Sequence, residues 1–381
     1  MPCGFCCRIT TVISRTCRRG VTPRGQVTGL TYLNMKKIRK RDLLKEPIEH
    51  IDIKKLDVAK LVNSYAKMSF SARDLARAVD IYNKMLADRN ASVWLTVAGS
   101  TSAAGCMQVY VDLVKNNMVD VIVATGASIV DMDFFEALGF RHYKGTAFID
   151  DSLLRRLYID RIYDTFIDEE ELQACDKAIE QIADSLPARP FSSREFIEAM
   201  GRYLKEHGKK KNSLVQAAFE HQVPIFCPAF SDSSAGFGLV LHQWKNPQSH
   251  LSIDSAKDFL ELTKIKIKSK DSGLLMIGGG VPKNFAQDTV VAAEVLGFNV
   301  PVHKYALQIT VADVRDGACS SSTLKEASSW GKVSPVYEQM VFAEATLALP
   351  ILAAHAYKVG HWKKRAKREF SKLFASKSSN L

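Results

Sequence analysis

From residue 93 onward the chain repeats one pattern: a short unbroken apolar run, a loop of small and polar residues, then a stretch of helical spacing. Val93 to Val97 leads into Ala98-Gly99-Ser100-Thr101-Ser102 and a helix from about Ala103 to Asn116. Val119 to Val123 leads into Ala124-Thr125-Gly126-Ala127-Ser128 and a helix reaching Leu138. Val223 to Cys227, Leu274 to Ile277 and Tyr305 to Val311 repeat the apolar run, each followed by Gly, Ser or Asp. Such runs read as strands buried on both faces, and their alternation with helices reads as a parallel sheet. The predicted fold is therefore α/β, a doubly wound and mostly parallel sheet.

Ahead of it, residues 36–92 read as helical. Asp57 to Met68 carries Leu and Val at helical spacing, and Ser71 is placed to cap Ala72 to Leu86, with Leu75, Val79, Tyr82 and Leu86 on one face. Residues 150–215 read as mostly helical and polar. Ser192 and Glu195 have the spacing of a capping box. A final long helix is predicted from Pro335 to Tyr357. The domain reading is a leader over 1–34, a helical N-terminal segment over 35–92, an α/β catalytic domain over 93–357 and a basic tail over 358–381.

Composition narrows the class. At ~150 residues per domain, 381 residues allow two domains or one large one. With 46% apolar and 24% charged residues, the chain is neither disordered nor fibrous. The best membrane candidate, Met340 to Tyr357, contains Glu344 and Pro350, so no spanning helix and no membrane partner are expected. The net charge is +11, but residues 1–45 carry +10 and residues 358–381 carry +7, which leaves −6 for the body. The basic ends read as solvated tails. Without aromatic residues interleaved among the basic ones, they make no nucleic-acid platform. Residues 1–34 hold no Asp or Glu and are rich in Arg, Ser, Thr and Cys, with Met35 directly after. Two readings fit: an organelle-targeting segment, or an upstream extension with the start at Met35, which is favoured. Cys106, Cys175, Cys227 and Cys319 are scattered, suiting a reducing compartment, so the expected location is cytoplasmic. Cys3 and Cys6 lack a second pair, and no metal site is expected.

Candidate chemistry gathers at strand ends, where open parallel sheets bind ligands. The loops 98–102, 124–128, 230–236, 278–280 and 312–323 are small and polar, letting a ligand approach the backbone. A dinucleotide suits them, although the G-x-G-x-x-G fingerprint is missing. Further on, Glu326, Trp330, Gly331 and Lys332 form an uncommon set. A lysine becomes a nucleophile when deprotonated, and desolvation beside an indole favours that form. A carboxylate such as Glu326 can hold an ammonium, and Trp330 can pack on a cation.

Ser329-Trp330-Gly331-Lys332, with Glu326 upstream, resembles the active-site signature of deoxyhypusine synthases. The resemblance covers roughly residues 45–357. It includes Asn117-Met118-Val119-Asp120-Val121 with Thr125-Gly126-Ala127, Val223-Pro224-Ile225-Phe226 to Asp232, Lys245-Asn246-Pro247, and Gly278-Gly279-Gly280-Val281-Pro282-Lys283. It implies a Rossmann-like domain binding NAD and a polyamine substrate, spermidine. A hydride passes to NAD, the resulting imine is captured by Lys332 with loss of diaminopropane, an acceptor amine displaces Lys332, and the hydride returns. It implies Lys332 as the catalytic residue and Glu326 and Trp330 as substrate-binding residues. Ser100, Thr125, Asp232, Gly278, Gly279, Gly280, Asp316 and Ser320 are the implied cofactor-binding set. Family members form tetramers built from dimers, with the active sites at the dimer interface.

Departures from that pattern fall in the polyamine shell. The usual His after the glycine-rich Lys is Asn284, the acid expected five residues beyond Asp232 is Phe237, and the acid expected between Asp316 and Ser320 is Cys319. The expected adjacent Glu pair after Ser128 reads Val130-Asp131. Each lost charged hydrogen bond is worth roughly 1.5–3 kcal/mol. Three readings follow. The first is an NAD-dependent aminobutyl transferase acting on a protein lysine, as on the hypusine-type translation factor. The second is a homospermidine synthase-type enzyme with putrescine as acceptor. The third, from another class, is an inactive regulatory paralogue in a heterotetramer with an active subunit, rather than a homotetramer.

Overall fold

The computed structural model describes residues 39–47, 50, 52–55, 58–317 and 322–375. The predicted leader, Cys319 and Ser320 lie outside them. Six strands make the main sheet: β1 Ala91–Val97, β2 Val121–Ala124, β3 Ile225–Phe226, β4 Asp271–Ile277, β5 His303–Thr310 and β6 Val333–Phe342. All pairs are parallel, and the spatial order is β3-β2-β1-β4-β5-β6. This is the order of doubly wound dinucleotide-binding sheets, in which the chain reverses direction beside β1. The register aligns Val97 with both Ala124 and Ile277, and Ile277 with Ile309. The loops after β1, β2, β4 and β5 therefore emerge along one edge.

The helices used below are α1 Phe70–Ala87, α2 Met107–Lys115, α3 Glu169–Asp184, α4 Ser193–His207, α5 Ser234–Lys245, α6 Ser255–Lys268, α7 Gly280–Gln287, α8 Thr289–Val295, α9 Leu324–Ser329 and α10 Ala345–Val359. Helix α1 buries Leu75, Val79, Tyr82 and Leu86 as the spacing predicts, in one core with Val93 and Leu95 of β1. Each such aliphatic side chain contributes about 1.5–3 kcal/mol. The N-terminal helix thus packs into the sheet's own core. The approach is close: a Cβ on Gly273 of β4 would meet the Met85 sulfur at 2.7 Å. Ser71 is not the cap. The helix starts at Phe70, and the Ser71 hydroxyl donates to the Phe342 carbonyl at 2.8 Å. The capping box at α4 is present, with Glu195 N–H donating to Ser192 Oγ and Ser192 N–H to Glu195 Oε2.

Two further sequence expectations differ from the structure, and the mostly helical reading of 150–215 holds with a hairpin added. Residues 333–342 form an edge strand instead of the start of the final helix. Pro335 cannot donate to a ladder, and the outermost strand has a side where no donor is needed. Helix α10 begins only at Ala345, where the Glu344 carboxylate caps it through Thr346 N–H. Within 150–215, Ile159–Ile162 and Thr165–Asp168 form an antiparallel hairpin turned by Tyr163 at positive φ. The basic stretch after α10 is anchored to the body through Phe374, although Lys363, Lys364, Lys367 and Lys372 stay exposed. Arg365 Nη2 lies 2.5 Å from Asp120 Oδ2, with both side chains almost wholly buried, and Phe370 is buried too. Asp120 also accepts from Val93 N–H at 2.7 Å, so one carboxylate ties this segment to the start of β1. Among the described residues no helix is long and apolar enough to cross a membrane. Cys106, Cys175 and Cys227 are buried free thiols.

Candidate active site

The strand ends build a cradle. Ala98, Thr125, Gly126, Ala229, Asp232, Gly279 and Gly280 surround a cavity of about 140 Å³ at the reversal point between β1 and β4. Gly278 and Gly280 have φ of +73° and +65°, a conformation that L side chains rarely adopt. The turn they make opens directly into α7, whose first residues have no side-chain cap. An uncapped helix start with an open backbone is an anion site. The Thr125 hydroxyl is within 3.0 Å of Ser128 Oγ, which donates to the Gly99 carbonyl, so the β1 and β2 loops are tied together. Ser100 lies in that first loop but does not line the cavity. Asp131 accepts from Ser234 N–H at 2.7 Å. Burial pushes its carboxyl up to about 6, with Asp176 and Asp232 adding repulsion. The cavity is smaller than the ~300–1,000 Å³ of whole-ligand pockets. Its donors and glycines fit the phosphate portion of a dinucleotide.

A second group surrounds the start of α9. The wholly buried Lys283 ammonium donates to Gln308 Oε1 at 2.8 Å and to the Ser322 carbonyl. Burial holds this lysine down at about 8; Lys332 acts in the same direction, and Glu326 and Asp316 oppose it. Asp316, Glu326, Gln308 and Ser322 line one shallow pocket. The Glu326 carboxylate is engaged locally. It accepts from Thr323 N–H at 2.6 Å, completing a capping box for α9, and the Thr323 hydroxyl, then its N–H, hold the carboxyl below the usual range.

Lys332 occupies a third place. It precedes β6, and its carbonyl accepts from His303 N–H at 3.0 Å, at the amino edge of the sheet. Its ammonium lies 2.5 Å from Asp288 Oδ1 and 5.3 Å from the Trp330 ring centre. The ring thus sits beside the lysine's own cation. These three residues line a cavity of about 560 Å³ walled by α6 and α8. Gly278 N–H bonds Ile309, six residues beyond His303 on β5, so the Lys332 backbone lies roughly 20 Å along the strands from the glycine turn. One chain thus gathers Thr125, Asp232 and Gly278–Gly280 at the cradle, Asp316 and Glu326 at the shelf, and Trp330 with Lys332 at the amino-edge cavity. It does not bring Lys332 to the cradle.

Two residues escaped the sequence reading. Lys283 stood inside a motif without a role, and Asp288 carried no motif; its one signal is the position four residues after Asn284. Among the described residues no group of His, Cys, Asp and Glu is arranged for a metal ion.

Comparison with known proteins gives a consistent answer. The deoxyhypusine synthase family model matches residues 60–356. A deoxyhypusine synthase-like protein of Coxiella burnetii is 66% identical over 340 residues, covering 89% of this chain and 97% of its own. A probable deoxyhypusine synthase of Methanosarcina acetivorans is 39% identical over 320 residues, covering 84% and 92%. The crystal structure of a putative deoxyhypusine synthase from Entamoeba histolytica superposes with a TM-score of 0.55 at 20% identity, over 84% of this chain and 99% of that one, and so shares the fold.

Proposed function

We propose, from the premise that the chain belongs to the deoxyhypusine synthase family, that it is an NAD-dependent aminoalkyl transferase. It would move a four-carbon fragment from a polyamine such as spermidine to an acceptor amine through an imine on Lys332. The family is one of transferases; the donor, acceptor and cofactor are our reading. The observation that carries it is Lys332 itself, a lysine on the wall of a roomy cavity with an indole over its ammonium.

NAD, when bound, supplies the hydride acceptor for the amine carbon and returns the same hydride at the end, so it is not consumed. The residues to hold it are Thr125, Asp232 and Gly278–Gly280, with its phosphates at the start of α7. Lys332 Nζ adds to the substrate imine carbon, and the carbon–nitrogen bond to diaminopropane breaks as the departing amine takes a proton. The acceptor amine then adds to the Lys332 imine and expels Lys332. Trp330 steadies cationic states through its ring face. Buried Lys283, held near 8, can exchange a proton close to neutral pH.

The reading requires a second copy of the chain. The separation of roughly 20 Å between the Lys332 backbone and the glycine turn is bridged if each site takes its lysine from one copy and its cradle from another. Phe237, Val240, Leu241 and Trp244 support that assembly. They form an exposed apolar stripe on α5, beginning five residues after Asp232. A homotetramer is the expected form, and the cytoplasm, suited to the buried free thiols, the expected location. The acceptor is a protein lysine of a hypusine-type factor or, in the homospermidine synthase-type reading, putrescine. A second reading, a regulatory subunit paired with an active paralogue, is favoured by the engagement of Lys332 with Asp288 and by Phe237 in the place of an acid.

Borohydride trapping tests the proposal. Protein, NAD and spermidine are reduced, digested and mapped by mass spectrometry. An aminobutyl adduct on Lys332, lost in Lys332→Ala, is expected. No adduct from any polyamine in NAD-binding protein would overturn transfer and leave the regulatory reading.

A further inference from the structure

Asp288 stands where α7 meets α8, and both of its oxygens are engaged. Oδ2 accepts from Asn284 Nδ2 at 2.8 Å, one helical turn earlier, and Oδ1 faces the Lys332 ammonium at 2.5 Å. Asn284 thus fixes the carboxylate with one oxygen turned to the lysine. Among the described residues Asp288 is the only carboxylate on the wall of the 560 Å³ cavity. The rest is nearly all apolar: Phe259 and Leu260 from α6, Val291, Val295 and Leu296 from α8, and Trp330. The Asp288 side chain is 28% exposed and Lys332 11%, so the acid is the more open partner.

An ammonium settling against this open and partly exposed apolar wall gains a charged hydrogen bond only at a carboxylate. Only Asp288 offers one, and it is already held by Lys332. The incoming cation therefore has to displace the Lys332 ammonium. The displaced lysine then faces the cavity without its counter-charge, beside the Trp330 ring.

We infer that Asp288, oriented by Asn284, is the specificity-determining carboxylate for the amine substrate, and that amine binding and release of Lys332 are a single exchange. This rests on the reading of Lys332 as nucleophile given above. The geometry also limits the substrate class. With one acid at the end of an apolar wall, the cavity suits a primary amine whose chain is uncharged along the wall. A second ammonium must lie beyond the mouth. Asp288 and Asn284 thereby stand in for the acids missing at 237 and 319.

Calorimetric titration of the full chain with hexylamine, without NAD, tests the exchange. Asp288→Asn should weaken hexylamine by about ten- to a hundredfold, the worth of one charged hydrogen bond. Asn284→Ala, which loosens the carboxylate, should weaken it less. Lys332→Met removes the competing cation and should tighten binding. The double variant Asp288→Asn/Lys332→Met leaves neither charge uncompensated, so it keeps the test open if the single Asp288 variant does not fold; it too should bind weakly. Hexylamine binding that ignores Asp288, that weakens in Lys332→Met, or that is absent from the unaltered protein overturns the inference. The borohydride experiment separates the two proposals. Asp288-dependent binding without an adduct sinks the transfer reading alone, and an adduct with Asp288-independent binding sinks this inference alone.

Discussion

Lys266→Met should make the protein more stable at neutral pH and less so as the solution becomes alkaline. Lys266 lies on α6 with no exposed surface, and its ammonium donates to Ser272 Oγ at 2.8 Å. Ser272 Oγ is 2.9 Å from His303 Nδ1, and His303 Nε2 is 3.2 Å from the Ala286 carbonyl. A carbonyl only accepts, so Nε2 carries the proton and Nδ1 accepts from the Ser272 hydroxyl. The bonds run in one direction, from lysine to serine to histidine to α7. Burial holds His303 well below its ordinary range and Lys266 down at about 8, from 10.5, with Asp271 only partly opposing the latter. The folded chain thus binds fewer protons than the unfolded chain between about pH 8 and 10.5, and stability rises with pH across that window. Below it the full cost, about 3 kcal/mol, is present. Methionine keeps the length, removes the charge and forfeits one hydrogen bond of about 1 kcal/mol. The expected net gain is about 2 kcal/mol at pH 7, shrinking by about 2 kcal/mol at pH 9.5. Urea denaturation followed by circular dichroism at both pH values reads this directly, and Lys283 cancels because both proteins contain it. A variant that is no more stable at pH 7, with a difference independent of pH, would refute the reasoning.

Other consequences are equally open to measurement. Asp120→Asn leaves Arg365 buried without its counter-charge and should cost about 3–5 kcal/mol in urea unfolding, with earlier proteolysis after α10. Gly126→Ala places a Cβ 2.5 Å from Ser233 Oγ, the cap of α5; a loss of about 1–3 kcal/mol is expected, together with weaker NAD binding by fluorescence titration. Glu326→Ala removes one half of the α9 capping box and should lower the urea midpoint slightly, while Glu326→Gln keeps most of that stability. If Glu326 also holds substrate, Glu326→Gln weakens the amine and spares NAD.

The strands buried on both faces were legible because each carries its own signal. The runs of β1, β2, β4 and β5 need no partner to be recognised, and their small-residue endings mark the cradle edge. Glu195 announces the start of α4 from three residues away. Edge elements gave no such signal. β6 carries Pro335 and polar residues because only one of its sides meets the sheet, and helical spacing fits it equally well. The basic stretch after α10 looked solvated because its one decisive partner, Asp120, is 245 residues away.

Local sequence determined which residues can do chemistry: a lysine beside an indole, glycines ahead of a helix, and a lost ring of acids. Tertiary structure decided where that chemistry is possible. Asp288 and Lys332 meet because α7 leads away from the glycine turn and ends at Asp288, near where β6 begins. Lys266, Ser272 and His303 meet because β4 and β5 are neighbours beneath α6. The distance from Lys332 to the glycine turn is the length of a strand. A pattern along a chain reports what each segment buries, whereas strand order sets which charges face each other and at which end of the sheet.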